Sequence, residues 1–331
     1  MASLDIFRDD AFSVTELTLA MESATIAPQP LTSLFHHDGL RGETFFIEMA
    51  DAGELSVIPT SAVGSPPVYQ GRKRRSVLNF ATLHMKVADV IRPEEVAGVR
   101  AYGSETELKQ LRTLVDEQTA GLRQKVEITH DWHRMGAIKG QVLDADGSVL
   151  IDMYDEFDVT KSTFDLELDD ADTDVKRKVV EMMRLSEGKL RNRGKIVTGW
   201  RTLCSSSFID ALSLHEDVRA RFDAVQSDFN LRTQLRGFDM FGVRWDEYQV
   251  GTGTGGTWIA DGKAYLVPIV KDLLIGRFTP ASYMSTVNAG KGRPMYAITE
   301  MLPKQGGVEV EVQSRPLFLC TMPDVIVELS A

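Results

Sequence analysis

Between residues 104 and 126 the apolar positions recur at intervals of three, four and seven: Leu108, Leu111, Val115, Leu122 and Val126. Such spacing keeps them on one side of a 3.6-residue turn, so the segment reads as a helix of about five turns with one buried stripe. Ser104 and Glu107 supply a capping box at its start, each side chain serving a backbone N–H that the helix itself leaves without a partner. Lys109, Arg112, Asp116, Glu117, Arg123 and Glu127 lie mostly off the stripe and give the helix a wet face. A second amphipathic helix carries Val175, Val179, Met182 and Leu190. Arg191 and Arg193 suit its C-terminal dipole, and Gly194 can close it. Ser205–Ser207 caps a shorter helix, and another covers roughly residues 216–225.

Elsewhere the period shortens to two. Thr44–Met49, Glu54–Pro59 and Ser76–Met85 are strand-like, and in the last of these Val77, Asn79, Ala81 and Leu83 share a face. Gln141–Val159 reads as a hairpin, because Asp146-Gly147 supplies the positive φ of a tight turn. Lys195–Cys204 is a strand, and from Gly237 to the end the chain is mostly strand and turn. Two stretches fit neither period. Residues 1–30 read as an arm, since Pro28 and Pro30 exclude regular helix or central strand. The run TSAVGSPPVYQGRKRR is a loop too long and too rich in Gly and Pro to be a simple connection, and such loops usually carry a function. Helical and strand-like segments follow one another without fixed repeats.

The 331 residues carry 37 Lys and Arg against 48 Asp and Glu, a net charge of −11, which disfavours a general nucleic-acid binder. Apolar residues at 43% and charged residues at 26% are those of a folded chain. No apolar run approaches the ~20 residues of a membrane span, and MASLDIFRDD lacks a basic-then-apolar leader, so neither membrane insertion nor secretion is expected. Cys204 and Cys320 are too few for a disulfide framework, which predicts synthesis in a reducing cytoplasm.

Signatures of chemistry fail one by one. Gly251, Gly253 and Gly256 spell the dinucleotide fingerprint, but a strand-like Thr257-Trp258-Ile259 follows where a helix N-terminus would have to meet a pyrophosphate. GTWIADGKA has the wrong glycine spacing for a phosphate loop and Ala264 where magnesium needs a hydroxyl. His130 and His133 sit one turn apart but have no further ligands to complete a zinc site, and His36-His37 is no better placed; surface or interface histidines are the plain expectation. Asp144 and Asp146 are turn residues without the rest of a calcium loop. There is no G-x-S-x-G elbow, and neither cysteine lies in a nucleophile signature. No cofactor is expected. The sharpest charge feature is Arg72-Lys73-Arg74-Arg75, set against an acidic run from Asp165 to Asp174. Read alone, the basic run is a solvated tip, a nucleic-acid contact or a contact between subunits.

The order of these features resembles one family. TFFIEMADAGELSVIPTSAVGSPP followed by VLNFATLHMKVADVIRPEEV is similar to the extended loop, and its return toward a spine helix, of tailed-bacteriophage major capsid proteins with the HK97-type fold, of the lambda type. GKAYLVPIVKDLLIGRFTPA and the closing SRPLFLCTMPDVIVELSA resemble late strand patterns of the same family. The resemblance implies an HK97-like α+β capsid fold. An N-terminal arm would occupy 1–30 and an extended (E) loop 41–85. A peripheral (P) domain would comprise 31–40, 86–165 and 285–314, and an axial (A) domain 166–284 and 315–331. It further implies an icosahedral shell of hexamers and pentamers around double-stranded DNA, made in the host bacterial cytoplasm. Partners would be other copies of the chain, a scaffold, a portal and a decoration (cement) protein, with no membrane. The basic tip Arg72, Lys73, Arg74 and Arg75 would then meet acidic residues of a neighbour, with Asp116, Glu117, Asp165, Asp169 and Asp170 as candidates. The rival expectation is a cytosolic α/β enzyme or ligand-binding protein with a dispersed site, which leaves no mark on a single sequence.

Overall fold

The computed structural model describes residues 13–23, 30–42, 44–50, 75–97, 104–191, 196–224, 237–252, 256–286, 290–303 and 306–331. The chain divides into two compact units. The first comprises Met1–Phe46, Asn79–Arg134 and Ile275–Phe318, and the second Ile47–Leu78, Met135–Leu274 and Leu319–Ala331.

The first unit is organised by α3 (Ser104–Lys139), a 36-residue helix whose run up to Arg134 lies in this unit. Its stripe is real where side chains are described: Val115, Leu122 and Val126 are buried, while the side chains of Leu108 and Leu111, and the capping box, lie outside the described residues. The stripe packs into one cluster with Ile91, Met295, Ala297, Val310 and Val312. These come from β4 (Met85–Ile91), β15 (Tyr296–Met301) and β16 (Val308–Ser314) and from the residue before β15, and the three strands form an antiparallel sheet with β16 in the middle. The late strands β15 and β16 are joined in this sheet by β4, while the 141–159 hairpin forms a separate two-stranded sheet.

The stretch expected as an arm also contributes. Residues 14–23 form α1 (Val14–Ser23), which buries Leu17 and Met21 in the same cluster. A second small sheet joins β1 (His36–Gly39), parallel, to β14 (Leu274–Phe278), with β17 (Pro316–Cys320) on the other side. β2 (Thr44–Ala50) and β3 (Arg75–Ala81) form a two-stranded ribbon. On β3 burial alternates, with Val77, Asn79 and Ala81 exposed and Phe80 buried, as the period-two pattern requires.

In the second unit Gly140 ends α3 with φ near 87°, and a Cβ there would strike the Tyr154 ring at 2.3 Å. The hairpin follows as β5 (Gln141–Leu143) and β6 (Val149–Asp152), turning at Gly147 with φ 85°. It ends sooner than its pattern suggested: Asp152 accepts from the Tyr154 and Asp155 amides and caps a short helix, α4 (Met153–Glu156). The unit's main sheet runs β7-β18-β13-β8-β10-β9. Its strands are β7 (Ser162–Asp165), β8 (Gly199–Cys204), β9 (Gly237–Met240), β10 (Val243–Glu247), β13 (Lys263–Ile269) and β18 (Val327–Ser330). α5 (Val175–Arg191) and α6 (Ser206–Leu214) supply Val175, Val179, Met182, Phe208, Ile209 and Leu212 to its core, with Trp245 fully buried beside Phe208. Ser205 caps α6 by accepting from the Phe208 amide, as its sequence position predicts. The glycine-rich segment is a strand turn: Gly251–Thr252 pairs with Gly256–Thr257.

Candidate assembly surfaces

The basic run falls at the ribbon. Arg72, Lys73 and Arg74 lie outside the described residues, and Arg75 opens β3 with its side chain outside the description. The acidic candidates are described. Asp116 and Glu117 are exposed on α3, and Asp116 sits 3.9 Å from Arg112 one turn earlier. Partial burial pushes the Asp116 carboxyl up, with Arg112 opposing.

The acidic run is largely occupied by its own backbone. Asp165 accepts from the Glu167 amide at 3.1 Å, and Asp170 from the Asp172 amide at 3.0 Å. Asp174 accepts from the Arg177 amide at 3.1 Å in the manner of an N-cap for α5, and Glu167 pairs with Lys178 at 2.6 Å. The Asp170 carbonyl also pairs with the His215 ring at 3.0 Å. Asp169 is exposed. Turn and cap chemistry thus accounts for most of these carboxylates, and Asp116 and Glu117 belong to the other unit.

A denser polar cluster lies where the sequence pattern pointed to surface groups. His130 and His133 are buried on α3, a correction to the expectation of surface histidines. The apolar stripe continues through Val126, His130 and Ala137 at i, i+4 and i+11, so these positions face inward with the rest. The spacing was visible in the sequence, but residue polarity argued against burial. His130 Nε2 lies 2.8 Å from Ser314 Oγ, and its ring packs at 5.7 Å from Phe278 and 5.6 Å from Phe318. Arg134 donates to Asp131 at 2.6 Å and rests over the Phe318 ring at 4.8 Å. His37 packs against Phe278 and Phe318 beside them. Burial first, then Arg134, pushes the His37 imidazole down to about 4 and holds His130 well below its ordinary range. Burial raises the Asp131 carboxyl, with Arg134 opposing. A cavity of about 260 Å³ adjoins the cluster, lined in part by Met21, His37, Arg123, Glu127 and Arg134. Two neutral imidazoles and a paired guanidinium among phenyl rings form a buried polar cluster.

The second unit has its own network. Glu328 on β18 accepts from Tyr265 at 3.0 Å, pairs with Lys161, and lies 3.6 Å from Lys263. Burial would raise its carboxyl, but Lys161 and its other partners hold it below the usual range. Lys139 donates to the Trp258 carbonyl, and burial lowers its ammonium. Cys204 and Cys320 are both buried thiols. Among the described residues no group of three or more His, Cys, Asp or Glu is placed to hold a metal ion, and no helix is long and apolar enough to cross a membrane.

Comparison with known proteins gives a consistent result. A family model described as "Phage major capsid protein E" matches residues 13–331. The chain is 25% identical over 288 residues to the major capsid protein of Salmonella phage Felix O1, covering 77% of this chain and 78% of that one. It is 26% identical over 276 residues to the major capsid protein of Pseudomonas phage KPP10, with the same coverage of each. Among solved structures, the capsid of an empty GTA particle matches with a TM-score of 0.56 at 7% identity, covering 93% of this chain and 92% of that one. The mature capsid of bacteriophage PhiM1 matches with a TM-score of 0.52 at 12% identity, over 93% and 88%.

Proposed function

The chain belongs to the phage major capsid protein E family, and from that premise we propose how its parts serve a shell. It is a major capsid protein of the tailed-phage type with the HK97-like fold, a virion component that self-assembles into an icosahedral capsid and not an enzyme. The finer reading is ours. Subunits gather as hexamers and pentamers, directed by a scaffold, with a portal and a decoration protein on the finished head. The shell encloses double-stranded DNA without reading its sequence, and the chain is made in the host bacterial cytoplasm. A net charge of −11 supports this reading, because a repelling wall leaves the packaged duplex free to spool.

Residues 31–40, 86–165 and 285–314 serve as the peripheral domain, and 166–284 and 315–331 as the axial domain. The β2–β3 ribbon is the root of the extended loop, and residues 1–30 are an arm anchored by α1. The basic run Arg72–Arg75, which leads into β3, contacts a neighbouring subunit and sets register there. Single exposed pairs are worth about 0–1 kcal/mol, so the effect comes from a cluster repeated at every contact. The observation that carries the reading is a family match that runs through both units and the ribbon. Sedimentation and negative-stain imaging of the expressed chain test it: closed particles or capsomers are expected, and a small compact oligomer under every condition would overturn it.

A further inference from the structure

The β4–β16–β15 sheet buries one face and leaves much of the other open. The open face is set by the register. Tyr296, Gln313 and Lys86 form one row across the strands, Ile298, Glu311 and Ala88 the next, and Glu300, Glu309 and Val90 the last. In the first row Tyr296 and Gln313 are buried, Gln313 accepting from the Ser282 amide at 2.6 Å, while Lys86 is exposed. Ala88 and Glu300 are exposed, and Ile298, Glu309 and Val90 are half-buried. Glu311 is held by Lys86 at 2.6 Å and by the Tyr283 hydroxyl at 3.0 Å. Its carboxylate, with those of Glu309 and Glu300, raises the Lys86 ammonium.

Three carboxylates against one ammonium leave this face two charges negative. Glu300 stands directly opposite Glu309 across an antiparallel pair, an arrangement that costs stability, and among the described residues neither has an ion pair. We infer that this open sheet face is the seat for the basic segment Arg72–Arg75 of a second copy of the chain. The inference rests on the assembly reading above and names the surface that reading leaves unassigned.

Three observations favour this occupant. The basic run is the complementary charge, and cations brought beside a like-charge pair in a strand ladder relieve its repulsion. Several of the other acidic side chains are engaged: Asp165, Asp170 and Asp174 accept backbone amides, Glu167 has Lys178, and Asp116 lies 3.9 Å from Arg112, whereas Asp169 and Glu117 are exposed. Ala88, Val90 and Ile298 offer the arginine stems an apolar floor between the carboxylates.

Charge exchange tests the seat. Particles made by the full chain are compared for the salt concentration at which half of them fall apart, with the melting temperature of the unassembled subunit as the check on folding. Tip reversal (Arg72→Glu, Arg74→Glu, Arg75→Glu) and face reversal (Glu300→Lys, Glu309→Lys) should each lower that concentration by about twofold or more. Both reversals in one chain should restore it. Glu300→Gln with Glu309→Gln, which keeps shape and removes charge, should weaken particles in the same direction without unfolding the subunit. Tip reversal that weakens particles while both face variants assemble normally overturns the seat and leaves the tip contact standing. Tip reversal that leaves assembly normal overturns the tip contact, and the seat with it. Face reversal that the tip reversal does not rescue also overturns the seat, assigning the face to another partner such as a decoration protein.

Discussion

The six-stranded sheet of the second unit and the three-stranded sheet of the first handle burial differently. β13 buries Ala264, Tyr265, Leu266 and Val267 in succession, so both of its faces are covered, as in sheets flanked on two sides. β15 buries Tyr296 and Ala297 and then opens through Ile298, Thr299 and Glu300, and Glu309 of β16 is only half-buried. One sheet keeps its apolar surface for its own subunit. The other spends one face on α1 and α3 and offers a charged face outward. In a chain whose product is an assembly, the second design is where a neighbour can be recognised without exposing the core to solvent.

The comparison can be broken first at its stable side. Trp245 is fully buried and stacked near Phe208 at 6.3 Å, so Trp245→Ala should cost about 3–5 kcal/mol in chemical denaturation of the unassembled subunit. Leu122→Ala, the described counterpart in the α3 stripe, should cost about 2–5 kcal/mol. If denaturation after Leu122→Ala is unchanged, α3 does not carry the core of the first unit.

Acid sharpens the comparison further. His37 titrates near 4 in the folded unit against an ordinary 6.5. Between those values the unfolded chain binds a proton that the folded chain refuses. Stability is therefore full above about pH 6.5, falls as pH drops through the window, and loses nothing more from this group below pH 4. His130 acts in the same direction. With allowance for solvent around the partly exposed ring, His37 should account for on the order of 1–2 kcal/mol. His37→Gln should flatten the slope of melting temperature against pH, and an unchanged slope would remove His37 from the account.

The smallest effect is the most diagnostic. Removing the Glu300–Glu309 repulsion with Glu→Gln at both positions should stabilise the unassembled subunit by about 0.2–1 kcal/mol. The same change should weaken assembled particles. A variant that is less stable in both states would mean that the face serves the subunit rather than its neighbour.

The elements were legible to different degrees for physical reasons. The α3 stripe, the Asp146-Gly147 hairpin, the Ser205 cap and α5 depend on residues within a few turns of one another, and each formed close to where its pattern lies. The buried histidines were missed because polarity is a poor guide to burial once a helix is long enough to carry its stripe past its apolar residues. Which carboxylates of the acidic run cap their own turns was not legible, because a sequence does not show it.

By itself the sequence determined the order of helices and strands, the net negative charge, the basic run and the succession of segments by which the family is recognised. These follow from local spacing and composition, which need no partner in space. The tertiary structure alone decided that β4 lines the α3 stripe, that His37 and His130 share one pocket with Arg134, and that Glu300 faces Glu309. Each of those joins residues far apart in the chain, and their pairing depends on strand order and register. Local periodicity leaves both open, because a strand's alternation reads the same whichever neighbour it pairs with.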